Sequence, residues 1–231
     1  MSLLVKHGAR ITARDRRGFT LMHHAALGGN IEALKWALQR RPRVQLEVYS
    51  NMEETPLQLA AIGGHLHAAK LFLVHGAVGD RPDQKGATSI HYAVLGGSET
   101  EEQGRVHISL LKLLLEPEWK LNVNSQDVDG KTPLMWAAER GLMATLMEIL
   151  RCKPHALRTG GRNADPNMQD KQGSTAMHLA AMAGFKDIVE LMANKGANME
   201  LRDNTGRTPL ECLVEAEMEI MMDDMELHPS Y

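Results

Sequence analysis

The stretch Asp170-Lys-Gln-Gly-Ser-Thr-Ala-Met-His-Leu-Ala-Ala decides how the rest of the chain is read, because five other segments align with it residue for residue. They are Asp15-Arg-Arg-Gly-Phe-Thr-Leu-Met-His-His-Ala-Ala, Ser50-Asn-Met-Glu-Glu-Thr-Pro-Leu-Gln-Leu-Ala-Ala, Asp83-Gln-Lys-Gly-Ala-Thr-Ser-Ile-His-Tyr-Ala-Val, Asp127-Val-Asp-Gly-Lys-Thr-Pro-Leu-Met-Trp-Ala-Ala and Asp203-Asn-Thr-Gly-Arg-Thr-Pro-Leu-Glu-Cys-Leu-Val. The threonines that anchor them, Thr20, Thr55, Thr88, Thr132, Thr175 and Thr208, are spaced by 35, 33, 44, 43 and 33 residues. A base period of 33 with two insertions of about ten residues accounts for every interval.

Each recurring residue has a local physical job. Threonine is suited to cap a helix N-terminus by accepting from an otherwise orphan N–H, worth about 1 kcal/mol. Pro56, Pro133 and Pro209 fall at the first helical position, where no donor is needed. Leu or Met follows, then an Ala-Ala pair small enough to let neighbouring helices approach. Gly29, Gly64, Gly97, Gly141 and Gly184 stop the first helix and permit a sharp turn. Apolar residues at helical spacing, such as Ile188, Val189, Leu191 and Met192, mark a second helix, closed by a glycine at Gly76 and Gly196. Aspartates at Asp15, Asp83, Asp127, Asp170 and Asp203 recur where a turn favours them.

This pattern resembles the ankyrin repeat family over nearly the whole chain. The resemblance implies an all-α solenoid of stacked helix-turn-helix units joined by hairpin-like turns. A helix pair of this size buries its apolar face only against its neighbours, so no central core and no closed catalytic cavity are expected. Residues 1–231 then form one domain: a partial repeat at 1–14, repeats at 15–49, 50–82, 83–126, 127–169 and 170–202, and an atypical C-terminal capping repeat at 203–231. His23, His91 and His178 share one repeat position, and the resemblance makes them structural, bonding near the inter-repeat turn.

Departures from the period are informative. Leu3-Leu-Val-Lys-His-Gly-Ala-Arg-Ile-Thr reads as a second helix and its exit loop without the first helix, the expectation for a fragment of a longer protein or for a half-repeat cap. Ser98–Arg105 reads as a polar, acidic loop between the two helices of the third unit, and Lys153–Arg162 as a basic, glycine-containing insertion at the exit of the fourth. Insertions at such places either add private contacts or drift neutrally. In the sixth unit Glu217 replaces the turn glycine, and apolar residues continue at Leu210, Leu213, Val214, Met218, Met221, Met222 and Met225. That spacing predicts one long amphipathic helix, serving either as a cap or as an adaptable methionine-rich docking face.

Of the 231 residues, 43% are apolar, 24% charged and 4% aromatic, the balance of a folded chain packed by small and aliphatic side chains. A net charge of −3 excludes a generally basic nucleic-acid binder. The charge is unevenly spread: residues 1–50 hold nine Lys/Arg against three Asp/Glu, whereas 211–231 hold seven acids and no base. Such a gradient either steers a partner or merely keeps the chain end solvated. Cys152 and Cys212 cannot make a disulfide framework, no run reaches the length needed to span a bilayer, and Leu3-Leu-Val is too short for a signal-peptide core. The expectation is an intracellular protein of the cytoplasm, with the nucleus as the other compartment open to it, and without membrane insertion.

Little in the sequence points to chemistry. His65 and His75 read as surface residues, and Cys152 with His155 lacks a second pair at zinc spacing. The Gly-Gly pairs are turn glycines rather than a phosphate cradle, and no Gly-x-Gly-x-x-Gly or nucleophile setting occurs. No catalytic residue, cofactor or metal is expected. In stacks of this type the contact surface combines the turn tips with the exposed end of each first helix. Carried over position by position, the candidate partner-binding residues are Arg16, Arg17, Phe19, Leu27, Tyr49, Met52, Ile62, Lys85, Leu95, Asp129, Glu139, Arg140, Lys171 and Met182. Glu54, Ala87, Lys131, Ser174 and Arg207 occupy the tip position of Phe19 in the other units. Leu27, Ile62 and Leu95 form an aliphatic row that is either an apolar groove or packed beneath its neighbours. The arginine cluster Arg14, Arg16, Arg17, Arg40, Arg41 and Arg43 is matched better by protein carboxylates than by nucleic acid, for want of interleaved aromatics. The expected function is non-catalytic binding of a protein partner on the concave face and tips. The alternative is a regulatory or substrate-recruiting segment of a larger enzyme or channel, and nucleic-acid binding ranks last.

Overall fold

The computed structural model describes residues 10–40, 46–96, 101–151 and 163–227, and within them every regular element is helical. The helices are α1 (Leu21–Leu27), α2 (Ile31–Arg40), α3 (Pro56–Ile62), α4 (Leu66–Val74), α5 (Ser89–Leu95), α6 (Glu101–Leu114), α7 (Pro133–Glu139), α8 (Met143–Arg151), α9 (Ala176–Met182), α10 (Lys186–Asn194) and α11 (Pro209–Leu227), with a 3-10 turn at Pro117–Trp119. The first helices α1, α3, α5, α7, α9 and α11 pack in series, and α2, α4, α6 and α8 pack in a second row behind them. Alanines make the spacing short: Ala26, Ala60, Ala61, Ala137, Ala138, Ala180 and Ala181 are fully buried where first helices meet. One continuous apolar core runs the length of the stack.

Thr55, Thr132, Thr175 and Thr208 cap as their spacing predicts, accepting a backbone N–H three residues on, whereas the Thr20 and Thr88 hydroxyls meet a histidine Nδ1 instead. Thr55 Oγ1 accepts from the Gln58 N–H at 3.2 Å while Gln58 Oε1 accepts from the Thr55 N–H at 2.6 Å, a reciprocal capping box. In three units a histidine replaces that glutamine. Nδ1 of His23, His91 and His178 accepts the N–H of Thr20, Thr88 and Thr175, each at 3.1 Å. Nε2–H then donates to the next unit, to Glu54 O at 3.1 Å, Lys131 O at 3.1 Å and Arg207 O at 3.0 Å. The arrangement requires neutral rings protonated on Nε2, and burial pushes His23 and His91 below the ordinary imidazole range. Each ring therefore ties a helix cap in one unit to the turn of the next.

The turn between paired helices needs a left-handed residue, met by Gly29 at φ +62. A Cβ there would lie 2.5 Å from Nδ1 of His65, so glycine also admits the next unit's ring. His65, expected on the surface, is half-buried for this reason: its ring lies over Gly29 and Gly63 and Nε2–H donates to Leu27 O at 2.9 Å. His75 is exposed.

The polar segment read as a loop at 98–105 is helical from Glu101 onward, so α6 is fourteen residues long. Glu101, Glu102 and Gln103 are strong helix formers, and acids at a helix N-terminus complement its dipole. The insertion at 153–162 and residues 1–9 of the partial repeat lie outside the described residues. The long helix expected in the sixth unit is α11; Cys212 and Leu213 face the stack, whereas Leu210, Val214, Met218 and Met222 are exposed.

Candidate partner-binding surface

The turns before each first helix build one edge of the molecule. In each, an aspartate folds back on its own backbone: Asp83 Oδ1 accepts the N–H groups of Lys85 and Ala87, both at 2.9 Å, and Asp15, Asp127, Asp170 and Asp203 repeat the pattern. In the second unit the Ser50 hydroxyl takes this place. Successive tips are then tied by a backbone rail. The N–H of Asn51 donates to Arg17 O at 2.9 Å, Gln84 to Met52 O at 3.1 Å, Val128 to Lys85 O at 2.9 Å, Lys171 to Asp129 O at 3.0 Å and Asn204 to Gln172 O at 2.9 Å. The tips therefore present side chains from a rigid row.

Arg16, Arg17, Met52, Lys85, Asp129 and Lys171 project from these tips and are exposed. Phe19 is not with them. Its side chain is 2% exposed, stacked on His23 at 5.2 Å between ring centroids. The residue that closes the turn pairs with the aspartate through both backbone groups, which turns its side chain inward. Ala87 and Ser174 are buried at the same position, and Glu54, Lys131 and Arg207 are half-buried. Leu27, Ile62 and Leu95 are likewise only half-buried members of the wall, packed against the core, so the aliphatic row is a floor rather than an open groove. Glu139, Arg140 and Met182 are exposed at the ends of α7 and α9.

Over the first three units the edge carries acids such as Glu53 as well as cations, but its tip cations make no ion pair among the described residues. The Arg17 guanidinium lies above Phe19 at 4.3 Å and that of Arg81 above the half-buried ring of Tyr49 at 4.2 Å. Each stacking interaction is worth about 0.5–1 kcal/mol at an exposed site and fixes the guanidinium facing outward. Arg14 donates to the backbone carbonyl of Tyr49. Among the described residues no carboxylate pairs with Arg14, Arg16, Arg17, Arg81 or Lys85. From the fourth unit onward the edge cations other than the exposed Lys171 are paired: Lys131 meets Glu139 at 2.8 Å, Arg202 meets Glu211 at 3.3 Å, and Arg207 meets Asp203 at 3.1 Å and Glu215 at 2.7 Å. Asp203 is held down to about 2: its burial opposes this, and hydrogen bonds from the Thr205 hydroxyl, two backbone N–H groups and the Arg207 guanidinium outweigh it.

Sequence reasoning missed Arg81 and Trp136. Trp136 is half-buried behind the fourth tip, donating Nε1–H to Asp127 Oδ2 at 2.8 Å and lying edge-on to His91 at 5.0 Å. No repeat position marks Arg81; only its place in the exit loop after Tyr49's own unit brings it over that ring. A half-open cleft of about 330 Å³ lies beside the helix–helix turns instead, lined by Gly29, Ile31, Gly64, His65, His67 and Ser109 among others. No group of histidine, cysteine and acidic side chains among the described residues could hold a metal ion, and no described helix is long and apolar enough to cross a membrane.

A stack of capped helical hairpins tied by histidines and a backbone rail defines the class: a solenoid repeat protein. The family description "Ankyrin repeats (3 copies)" matches residues 43–103 and 154–221, and "Ankyrin repeats (many copies)" matches 4–60. The chain belongs to the ankyrin repeat family, whose repeats are protein-interaction modules. It is 26% identical over 220 residues to the human palmitoyltransferase ZDHHC13, covering 95% of this chain and 32% of that protein. It is 30% identical over 157 residues to the zebrafish (Danio rerio) neurogenic locus notch homolog protein 1, covering 68% and 6%. The chain thus spans about a third or less of the length of these curated relatives. Among solved structures, the ankyrin repeat protein EF0377 superposes with a TM-score of 0.72 at 22% identity, covering 90% of this chain and 94% of that one, a likeness of fold.

Proposed function

We propose that the chain is a non-catalytic binding module whose hairpin edge, over its first three units, holds an acidic segment of a partner protein. The observation that carries this reading is the set of outward guanidiniums at Arg14, Arg16, Arg17 and Arg81 with no internal carboxylate, two of them pre-positioned on aromatic rings. Stacked guanidiniums lose little freedom on binding and accept carboxylates in a bidentate manner. The exposed thioether of Met52 at the second tip supplies an apolar contact. Lys85 extends the cationic row, while Asp129, Glu139, Arg140, Lys171 and Met182 form a mixed-charge continuation that adds specificity. Double charge reversal, Arg17→Glu with Arg81→Glu, tests the reading. Proteins captured from a cell lysate by the native chain are expected to be lost on the variant and kept on Lys171→Glu. Equal capture by all three chains contradicts it.

A second reading is favoured by length. Because the chain matches only about a third of palmitoyltransferase relatives, the same edge would serve as the recruiting arm of a larger enzyme, delivering a bound protein to a catalytic domain elsewhere in the polypeptide.

A further inference from the structure

The second tip departs from the others at one residue. Three residues after the turn's aspartate stand Gly18, Gly86, Gly130, Gly173 and Gly206, all with φ between +73 and +86; three residues after Ser50 stands Glu53, with φ +62. Side chains rarely adopt that left-handed region. Space is short at this slot as well, since a Cβ on Gly18, Gly86, Gly130 or Gly173 would lie within 3.0 Å of the next tip's backbone nitrogen. Glu53 nonetheless closes the same turn, its N–H donating to Ser50 O at 3.1 Å as that of Gly18 donates to Asp15 O at 2.9 Å. The fold asks for glycine here, and a glutamate with an exposed side chain stands in its place.

That carboxylate falls between cations. Arg17 at the first tip, Glu53 at the second and Lys85 at the third are exposed, and none makes an ion pair among the described residues. The sign of the available charge therefore alternates along the edge. Asp129 at the fourth tip is exposed and in no ion pair among the described residues either, so it repels an acid continued past the third. Met52, 47% exposed and adjacent to Glu53, offers apolar surface to the aliphatic stem of a long basic side chain whose head meets the carboxylate. The backbone sets the spacing. Each tip is closed by one hydrogen bond, from Asp15 to Phe19 O at 2.9 Å, Ser50 to Glu54 O at 3.0 Å and Asp83 to Ala87 O at 3.1 Å, and is tied to the next by another. Two hydrogen-bonded chain separations of about 4.8 Å put successive tips about 10 Å apart, and an extended chain advances about 3.3 Å per residue. A segment crossing the edge thus meets a new tip about every three residues.

We infer that the segment held by this edge is extended and carries an acid, a base and an acid at intervals of three residues, the acids on Arg17 and Lys85 and the base on Glu53. Resting on the reading of the edge as an acid-binding surface, this assigns its selectivity to Glu53. A uniformly acidic segment gains the two cations but places a like charge against the Glu53 carboxylate, and repulsion of that kind is how an edge rejects the wrong partner.

Fluorescence anisotropy with the 231-residue chain at about 50 mM salt tests this on dye-labelled seven-residue peptides with serine and glycine spacers. The first peptide has aspartate at both ends and lysine at the centre. Its isomer has aspartate at one end and the centre and lysine at the other end, and a third peptide has aspartate at all three places. The first is expected to bind at least about fivefold more tightly than either of the others. Glu53→Gln removes the charge alone, and Glu53→Gly installs the residue of the other five tips, so that one variant at least keeps the fold. In both, the third peptide is expected to bind at least as tightly as the first. Equal binding of the first peptide and its isomer overturns the inference, as does an order of peptides unchanged in both variants. If binding is then still lost on Arg17→Glu with Arg81→Glu, the acid-binding reading stands without it. Absence of binding by every peptide overturns the inference too, and the acid-binding reading is then decided by the lysate capture.

Discussion

At the first hairpin the Arg17 guanidinium lies over the Phe19 ring without an ion pair among the described residues; at the sixth, Arg207 is clasped by Asp203 and Glu215. Both residues come from the same kind of turn on the same kind of unit. The difference lies in what surrounds them. An aromatic ring orients a guanidinium without satisfying its charge, whereas carboxylates consume it. Turns of one kind therefore present a cation at one end, two residues after the aspartate, and lock the stack at the other, four residues after it. The fold sets where side chains project, and the neighbours of each decide whether it is available to another molecule.

The comparison can be broken most forcefully at the cationic end. Arg17→Glu with Arg81→Glu is expected to weaken partner binding by at least about tenfold while the melting temperature falls by about 2–4 °C, the loss of two ring-stacking contacts. A matched change at the other end, Arg207→Ala, should reverse the balance. It removes the guanidinium that holds Asp203 and Glu215, so Tm falls by about 3 °C while partner affinity changes less than about twofold. The same lock predicts acid sensitivity. Asp203 has a folded-state value near 2, below the ordinary carboxylate range, so its contribution is present above the unfolded value and is lost as pH falls through that window. Urea midpoints recorded between pH 5 and about pH 2 should fall more steeply for the native chain than for Asp203→Asn.

The smallest expected effect concerns the histidines that join the two ends. His91 is buried and its ring is pushed below the ordinary value of 6.5. The unfolded chain therefore takes up a proton first, and stability declines as pH drops from about 6.5 toward the folded value. Gln58 holds the same place in the second unit and bonds both ways, to Thr55 and to Arg81 O and Ala87 O. His91→Gln is accordingly expected to leave Tm near pH 7.5 within about 2 °C and to flatten part of the decline below pH 6.5, read by thermal melts across pH.

The repeat was legible because every recurring residue answers a local demand: a cap at Thr175, a left-handed turn at Gly29, an anchored turn at Asp83, a small face at Ala180 and Ala181. The structural role of His23, His91 and His178 came instead from the family resemblance, since their bonds run to the next unit. What escaped was set by contacts between units. Phe19 looked like a tip residue because its counterparts, Glu54, Ala87, Lys131, Ser174 and Arg207, share no chemical type, so the inward turn of that position left no trace in composition. Arg81 and Tyr49 lie in exit loops of different units, where no period links them. The helical start of α6 at Glu101 was hidden by polarity that suits a loop and an exposed helix end equally.

The account stands most directly on where a partner touches the chain. Amide hydrogen exchange of the native chain, with and without a captured partner, is expected to show new protection at Arg16–Phe19, Tyr49–Met52 and Arg81–Lys85. Protection confined to the helix–helix turns at Gly28–Asn30 and Gly63–Leu66, with those three tips unchanged, would contradict it.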